Sequence, residues 1–168
     1  EITTRLVGSE MCIRDSFTRD QPWFGQFEKL MAVTDISLVD IKHIDSAEHK
    51  KLTGFPNENI LDMVQYMSAH ADDMWIRHVL VPERTDFDPY LKRLGDYIAT
   101  LDKNVVQKVE ILPYHTLGVK KYHELGITYP LEGIEPPSAD RVKNAENLLH
   151  VKDYTGWQSW RPKPVASN

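Results

Sequence analysis

Apolar and polar positions change period several times along this chain. In "FTRDQPWFGQFEKLMAVT", Phe24, Phe27 and Leu30 or Met31 fall at helical spacing behind Asp20 and Pro22, two residue types that start helices. The next stretch, "ISLVDIK", reads as a strand. Asp45 followed three residues later by Glu48 resembles a capping box, opening a short helix that Gly54 and Pro56 close. "NENILDMVQYMSAHA" then sets Ile60, Met63, Val64 and Met67 on one helical stripe. The unit repeats. "MWIRHVLVP" is β-rich and stops at Pro82; "TDFDPYLKRLGDYIATL" opens at Asp88–Pro89 and aligns Leu91, Leu94, Ile98 and Leu101. "VVQKVEILPY" is a third strand, halted by Pro113, and "VKKYHELG" a short helical turn. Ser138 can cap the helix "ADRVKNAENLLHV", with Val142, Ala145 and Leu149 inward. The tail, residues 151–168, reads as irregular, with Trp157 and Trp160 able to dock on the domain. Residues 1–16 carry neither period and read as a leader outside the fold.

Strand and helix alternate three times, and no Asn-Gly hairpin signal joins the strands. Helical crossovers and a parallel sheet follow. The expected fold is α/β: about three parallel strands with flanking helices, half of a (β/α) barrel or part of an open α/β sheet, spanning residues 17–150. Three parallel strands alone leave unpaired edges, so the sequence reads as an incomplete half-barrel.

Composition narrows the function only by exclusion. The 168 residues carry a formal net charge of −5 with no basic block, which argues against a nucleic-acid surface. Nothing approaches the ~18 consecutive apolar residues of a membrane span. "EITTRLVGSEMC" has no apolar core of a signal peptide, so the cytoplasm is the default location. Cys12 is the single cysteine, too few for a disulfide framework or a cysteine-rich metal site.

Chemistry in parallel α/β folds collects at the carboxyl ends of the strands. Asp40 and Lys42 share a face at the end of the first strand, Arg77 lies in the second, and His115 follows the third. A carboxylate, an ammonium, a guanidinium and an imidazole together suit a small zwitterionic or anionic ligand. On residue types alone the bland reading stands beside this one. Asp40 and Lys42 form a structural ion pair equally well, Arg77 can satisfy a strand end, and a lone loop histidine is more often solvated. His43, His49, His70, His78, His123 and His150 read as surface or helix-face residues, without metal-site spacing.

From about Phe17 to His150 the chain resembles the pyruvate formate-lyase activating family, radical S-adenosylmethionine proteins that install a glycyl radical. The phrases that carry the resemblance are "AVTDISLVDIKHID", "MWIRHVLVP", "EILPYHTLG" and "LEGIEPP", in this order and spacing. It implies the last three strands of a partial (β/α)6 barrel, with Asp40, Ile41, Lys42, Arg77 and His115 bordering an adenosylmethionine site. Asp40 would fix the methionyl end through its amino group or an associated cation. Lys42 and Arg77 would favour the carboxylate, and His115 the adenosine. It further implies a [4Fe–4S] cluster, a 5′-deoxyadenosyl radical, the glycyl-radical domain of pyruvate formate-lyase as partner, and flavodoxin or a similar electron donor. The family's C-x-x-x-C-x-x-C and Gly-Gly-Glu stretches are not in this sequence. The cluster is therefore not expected on this chain, which holds no metal ligand set or catalytic residue of its own and is expected to be inactive alone. Two other readings compete: Lys42 as the Schiff-base lysine of an aldolase-like barrel, and a non-catalytic binding fragment.

Overall fold

The computed structural model describes Arg19 and residues 24–162. Helix α1 (Phe24–Ala32) leads into strand β1 (Ser37–Asp40), followed by α2 (Ser46–Thr53) and α3 (Glu58–Ala69). Strand β2 (Met74–Leu80), helix α4 (Asp88–Ile98) and strand β3 (Val106–Pro113) come next, then α5 (Val119–Glu124) and α6 (Ala139–Leu148). The strands pair in the order β1-β2-β3, all parallel. The expected α/β sheet with helical crossovers is the one observed.

Alternation along each strand divides the sheet into two faces. Val39, Ile41, Ile76, Leu80, Val109 and Ile111 are buried in one core with Met63, Val64 and Met67 of α3 and Leu91, Leu94 and Ile98 of α4. The stripes read from the sequence are the ones that pack. Phe24, Phe27 and Met31 of α1 join this core, whereas Leu30 stays exposed. Asp20, Pro22 and the leader of residues 1–16 lie outside the described residues.

Local chemistry fixes the turns. The Asp45 carboxylate accepts from the Ala47 and Glu48 amides and caps α2, which ends at Gly54 in the left-handed region, φ 86°. The capping box is only half closed. Glu48 pairs with Lys51 at 2.6 Å, and the Asp45 amide donates instead to His43 Nδ1 at 3.0 Å. Ser138 caps α6 as expected. In α4 the N-cap is Phe87, and the Asp88 carboxylate instead accepts from Arg141 and Asn144 of α6.

Three histidines correct the sequence reading. His43, His49 and His78 are 1%, 2% and 2% exposed, not surface residues. His78 shares the helix-covered face with Ile76 and Leu80; its Nδ1 lies 2.8 Å from the Ile41 carbonyl oxygen and its Nε2 3.3 Å from that of Thr85. The neutral imidazole has one N–H to donate, and the shorter contact, Nδ1 to the Ile41 carbonyl, takes it, which lets a polar ring occupy a core position. The described part of the tail includes short helical turns at Val151–Asp153 and Gly156–Gln158. Of the two expected tryptophans Trp160 docks, while Trp157 is 43% exposed. Trp160 Nε1 donates to Asp73 at 2.8 Å, and the Lys108 ammonium lies 5.3 Å from the Trp157 ring centre.

Candidate binding site on the open face of the sheet

Among the described residues no α-helix packs across the second face of the sheet, which carries charge. Asp40 pairs in register with Arg77, and Arg77 with Glu110, so one charged residue from each strand lies at the same height. Asp40 is held at both oxygens: Arg77 Nε donates to Oδ1 at 2.7 Å and Lys42 Nζ to Oδ2 at 3.0 Å. Burial alone would push the Asp40 carboxyl up, but hydrogen bonds and charge from Lys42 and Arg77 outweigh it and hold it below its ordinary range. The structure thus brings together three of the expected residues.

The loop after β1 sets where Lys42 stands. Ile41 extends the pairing by donating its amide to the Arg77 carbonyl at 3.0 Å, and Asn57 Nδ2 donates to the carbonyls of His43 and Ile44. At the end of β2 the Thr85 hydroxyl donates to the Val79 carbonyl at 2.6 Å and accepts from the Val81 amide at 2.8 Å. Both strand ends are therefore pinned, so the charges sit on a rigid base.

Ile41 and His115 fall elsewhere. The Ile41 side chain is 1% exposed on the helix-covered face, and its amide and carbonyl are both bonded within the protein. His115 makes no hydrogen bond or ion pair with Asp40, Lys42 or Arg77 among the described residues. It lines a cleft of about 870 Å³ with Val79, Leu112, Tyr122 and Tyr129. Val79 and Leu112 are register partners one step above Arg77 and Glu110 on the same face, so the cleft adjoins the charged row. Its wall is stiffened by the Tyr114–Tyr129 hydroxyl contact at 2.9 Å, which pushes the Tyr129 hydroxyl up to about 12.

Sequence reasoning puts Trp75 on the face of Arg77 without a role, and passes over Lys108 and Glu110. Lys108 Nζ lies 2.6 Å from Glu110 Oε1 and 4.7 Å from the Trp75 ring centre. Their shared parity in "VQKVEIL" was a signal, but placing them opposite Trp75 and Arg77 requires the irregularity at Gln107, where the register shifts between Met74 and Trp75.

The donor set fits the amino-acid end of adenosylmethionine, with guanidinium and ammonium groups for a carboxylate and carboxylates for an ammonium. It does not fit an iron–sulfur cluster. Among the described residues no group of three or more His, Cys, Asp or Glu side chains could hold a metal ion, and the sequence supplies one cysteine. No helix among the described residues is long and apolar enough to cross a membrane.

The fold is that of an α/β half-barrel: three parallel strands in an open sheet with flanking helices. A domain of pyruvate-formate lyase-activating enzyme from Bacteroides vulgatus has the same fold, with a TM-score of 0.61 at 21% identity over 77% of this chain and 69% of that one. Sequence makes the relationship particular. "Pyruvate formate-lyase-activating enzyme" of Streptococcus mutans is 52% identical over 139 residues, 83% of this chain and 52% of that protein. Proteins of the same name from Listeria monocytogenes and Staphylococcus epidermidis are 44% and 48% identical over 82% and 85% of the chain. The chain belongs to this family of activating enzymes over the region it shares with them. It spans about half the length of the curated relatives it matches, 52%, 55% and 57% of the three. No family model matches the chain.

Proposed function

We propose that this chain forms one wall of the adenosylmethionine site of an enzyme that activates pyruvate formate-lyase. The observation that carries the reading is the 52% identity to a relative of that name, and the Asp40–Lys42–Arg77 arrangement supports it. In that family, bound adenosylmethionine supplies the group that removes a hydrogen atom from a glycine of the lyase. The part played by these residues is binding. Arg77 and Lys42 hold the carboxylate, Asp40 keeps both cations on the open face, and His115 contributes to the cleft that takes the nucleoside. The lyase's glycyl-radical domain is the macromolecular partner, and a flavodoxin-like protein the electron donor.

The Schiff-base alternative uses a desolvated neutral amine at Lys42. Lys42 is instead ion-paired, with its side chain 42% exposed. The site favours the first reading.

The test exchanges residues 24–162 into the matching segment of the Streptococcus mutans relative and measures anaerobic activation of pyruvate formate-lyase by the glycyl-radical signal. Activation within tenfold of the parent is expected. A soluble, cluster-loaded chimaera that binds adenosylmethionine and gives no radical overturns the reading. The 168-residue chain alone, given iron and sulfide, is expected to yield neither a cluster nor a glycyl-radical signal, because one thiolate replaces the three that such a cluster takes.

A further inference from the structure

One polar ring lies among the apolar side chains on the covered side of the sheet. His78 is 2% exposed, between Ile76 and Leu80 of β2. A leucine would fill such a position with no polar atom to desolvate, so the imidazole must do something that offsets its burial. It reaches across to the neighbouring strand. Ile41 lies one residue past the end of β1 and is 1% exposed, and no backbone donor among the described residues reaches its carbonyl oxygen. His78 Nδ1 does, at 2.8 Å. The other ring nitrogen faces the Thr85 carbonyl oxygen at 3.3 Å. Burial outweighs the pull of these two carbonyls and, with the charges of His43 and Lys42, pushes the imidazole below its ordinary range, so at neutral pH one nitrogen carries a proton. A proton on Nδ1 makes the shorter contact a hydrogen bond. A proton on Nε2 would instead leave two acceptors facing each other 2.8 Å apart. The Ile41 carbonyl therefore selects the tautomer.

That carbonyl belongs to the peptide unit whose other half is the Lys42 amide, and a peptide unit is planar. The preceding unit is held too, because the Ile41 amide donates to the Arg77 carbonyl at 3.0 Å. With both units fixed, the alternation of β1 continues past its last residue. Ile41 is buried in the core, and Asp40 and Lys42 stand on the open face, where their ion pair closes at 3.0 Å. The ring is steadied in turn by Thr85, whose hydroxyl bonds Val79 and Val81 at the end of β2. We infer that His78 is a positioning residue, whose Nδ1–H holds the Ile41–Lys42 peptide and so sets the Lys42 ammonium on the open face. This rests on the adenosylmethionine reading above and adds to it a residue from the far side of the sheet that touches no ligand.

The experiment uses the full 168-residue chain and begins with a measurement that needs no variant to fold. The NMR nitrogen shifts of the His78 ring at neutral pH are expected to show Nδ1 protonated and Nε2 bare, and a ring protonated on Nε2 alone overturns the inference. Two variants then separate positioning from packing. His78→Asn puts an amide N–H where Nδ1 stands but leaves a void, whereas His78→Leu fills the space and offers no donor. His78→Leu is expected to exchange its Ile41 amide hydrogen about tenfold faster than the unaltered chain and to bind adenosylmethionine about tenfold more weakly, the order of one hydrogen bond. His78→Asn should keep both quantities within about threefold, which is the rescue that a donor alone can give. A packing role predicts the reverse order, with the leucine variant unchanged and the asparagine variant impaired, and that result overturns the inference. So does an equal loss in both variants. Failure of the unaltered chain to bind adenosylmethionine saturably overturns the adenosylmethionine reading and the part of His78 in it, whereas parental affinity in His78→Leu overturns the inference alone.

Discussion

The two faces of this sheet are built from alternate residues of the same three strands, yet they are different materials. On the helix-covered face Ile41, Ile76, Leu80 and Val109 are at most 1% exposed, and the polar residue among them, His78, has both ring nitrogens near backbone carbonyls. On the open face Asp40, Lys42, Arg77, Lys108 and Glu110 are partly exposed and satisfy one another by ion pairs of 2.6 to 3.0 Å. One face supplies stability through area removed from water; the other holds paired charges at a fixed height on the sheet. The period of two lets one strand do both, and it also fixes register, because a slip of one residue would exchange the faces.

Neighbours on one strand should therefore respond differently. Ile76→Ala leaves a cavity among α3, α4 and the sheet and should cost about 3 kcal/mol in urea unfolding, with the m-value unchanged. Arg77→Ala should cost about 1 kcal/mol, since Asp40 keeps Lys42 and both groups reach water, yet it should weaken adenosylmethionine binding more than tenfold. A larger stability loss at Arg77 than at Ile76 would remove the distinction between the faces. Gly95→Ala belongs with the first kind. A Cβ there would run into the Leu148 backbone carbonyl oxygen where α4 meets α6, so about 2 kcal/mol should be lost.

The faces should also part company in acid. Burial pushes His43 and His78 down, outweighing their hydrogen bonds to the backbone. With folded values below the unfolded one near 6.5, the unfolded chain binds more protons as pH falls. The histidine contribution is thus complete above about pH 6.5 and is lost below it, by at most roughly 1.4 kcal/mol per pH unit for each ring. Asp40 is depressed instead, so its contribution persists to the unfolded value near 3.9 and is lost as pH falls further, through the folded value. Urea midpoints should drop between pH 6.5 and 5, and His78→Gln should flatten that slope while Asp40→Asn leaves it. A slope that both variants retain would place the titrating groups elsewhere.

Most of the architecture was legible because burial acts through period. The stripe Leu91, Leu94, Ile98 and Leu101 is wholly buried, and the Asp45 and Ser138 caps are both in place. The buried histidines were not read because residue type was given more weight than parity; the alternation Ile76, His78, Leu80 carried the signal. Asp40, Lys42 and Arg77 were legible from alternation and strand order. Glu110 was not, since its place beside Arg77 depends on a register shift at Gln107 that no local pattern announces. The Asp45–Glu48 box was half right for a similar reason: His43, brought to the same turn, takes the amide that Glu48 would have served.

The smallest effect lies where the tail meets the start of the sheet. Trp160 Nε1 donates to Asp73 Oδ2 at 2.8 Å, and Gln107 Nε2 donates to Oδ1 of the same carboxylate at 3.0 Å. Gln107 is the residue at the register shift, so Asp73 ties the tail to the irregularity that turns Lys108 and Glu110 onto the open face. Trp160→Phe keeps most of the ring and removes one donor while Gln107 still serves the carboxylate. The loss should be about 1 kcal/mol or less. A double-mutant cycle with Asp73→Asn isolates the bond, and its coupling should account for most of that loss. If the register shift depends on this anchor, Trp160→Phe should also move the amide resonances of Lys108 and Glu110 while leaving those of Asp40 and Lys42 in place. Unmoved β3 resonances would mean that Gln107 alone holds the shift, and that the open face is set without the tail.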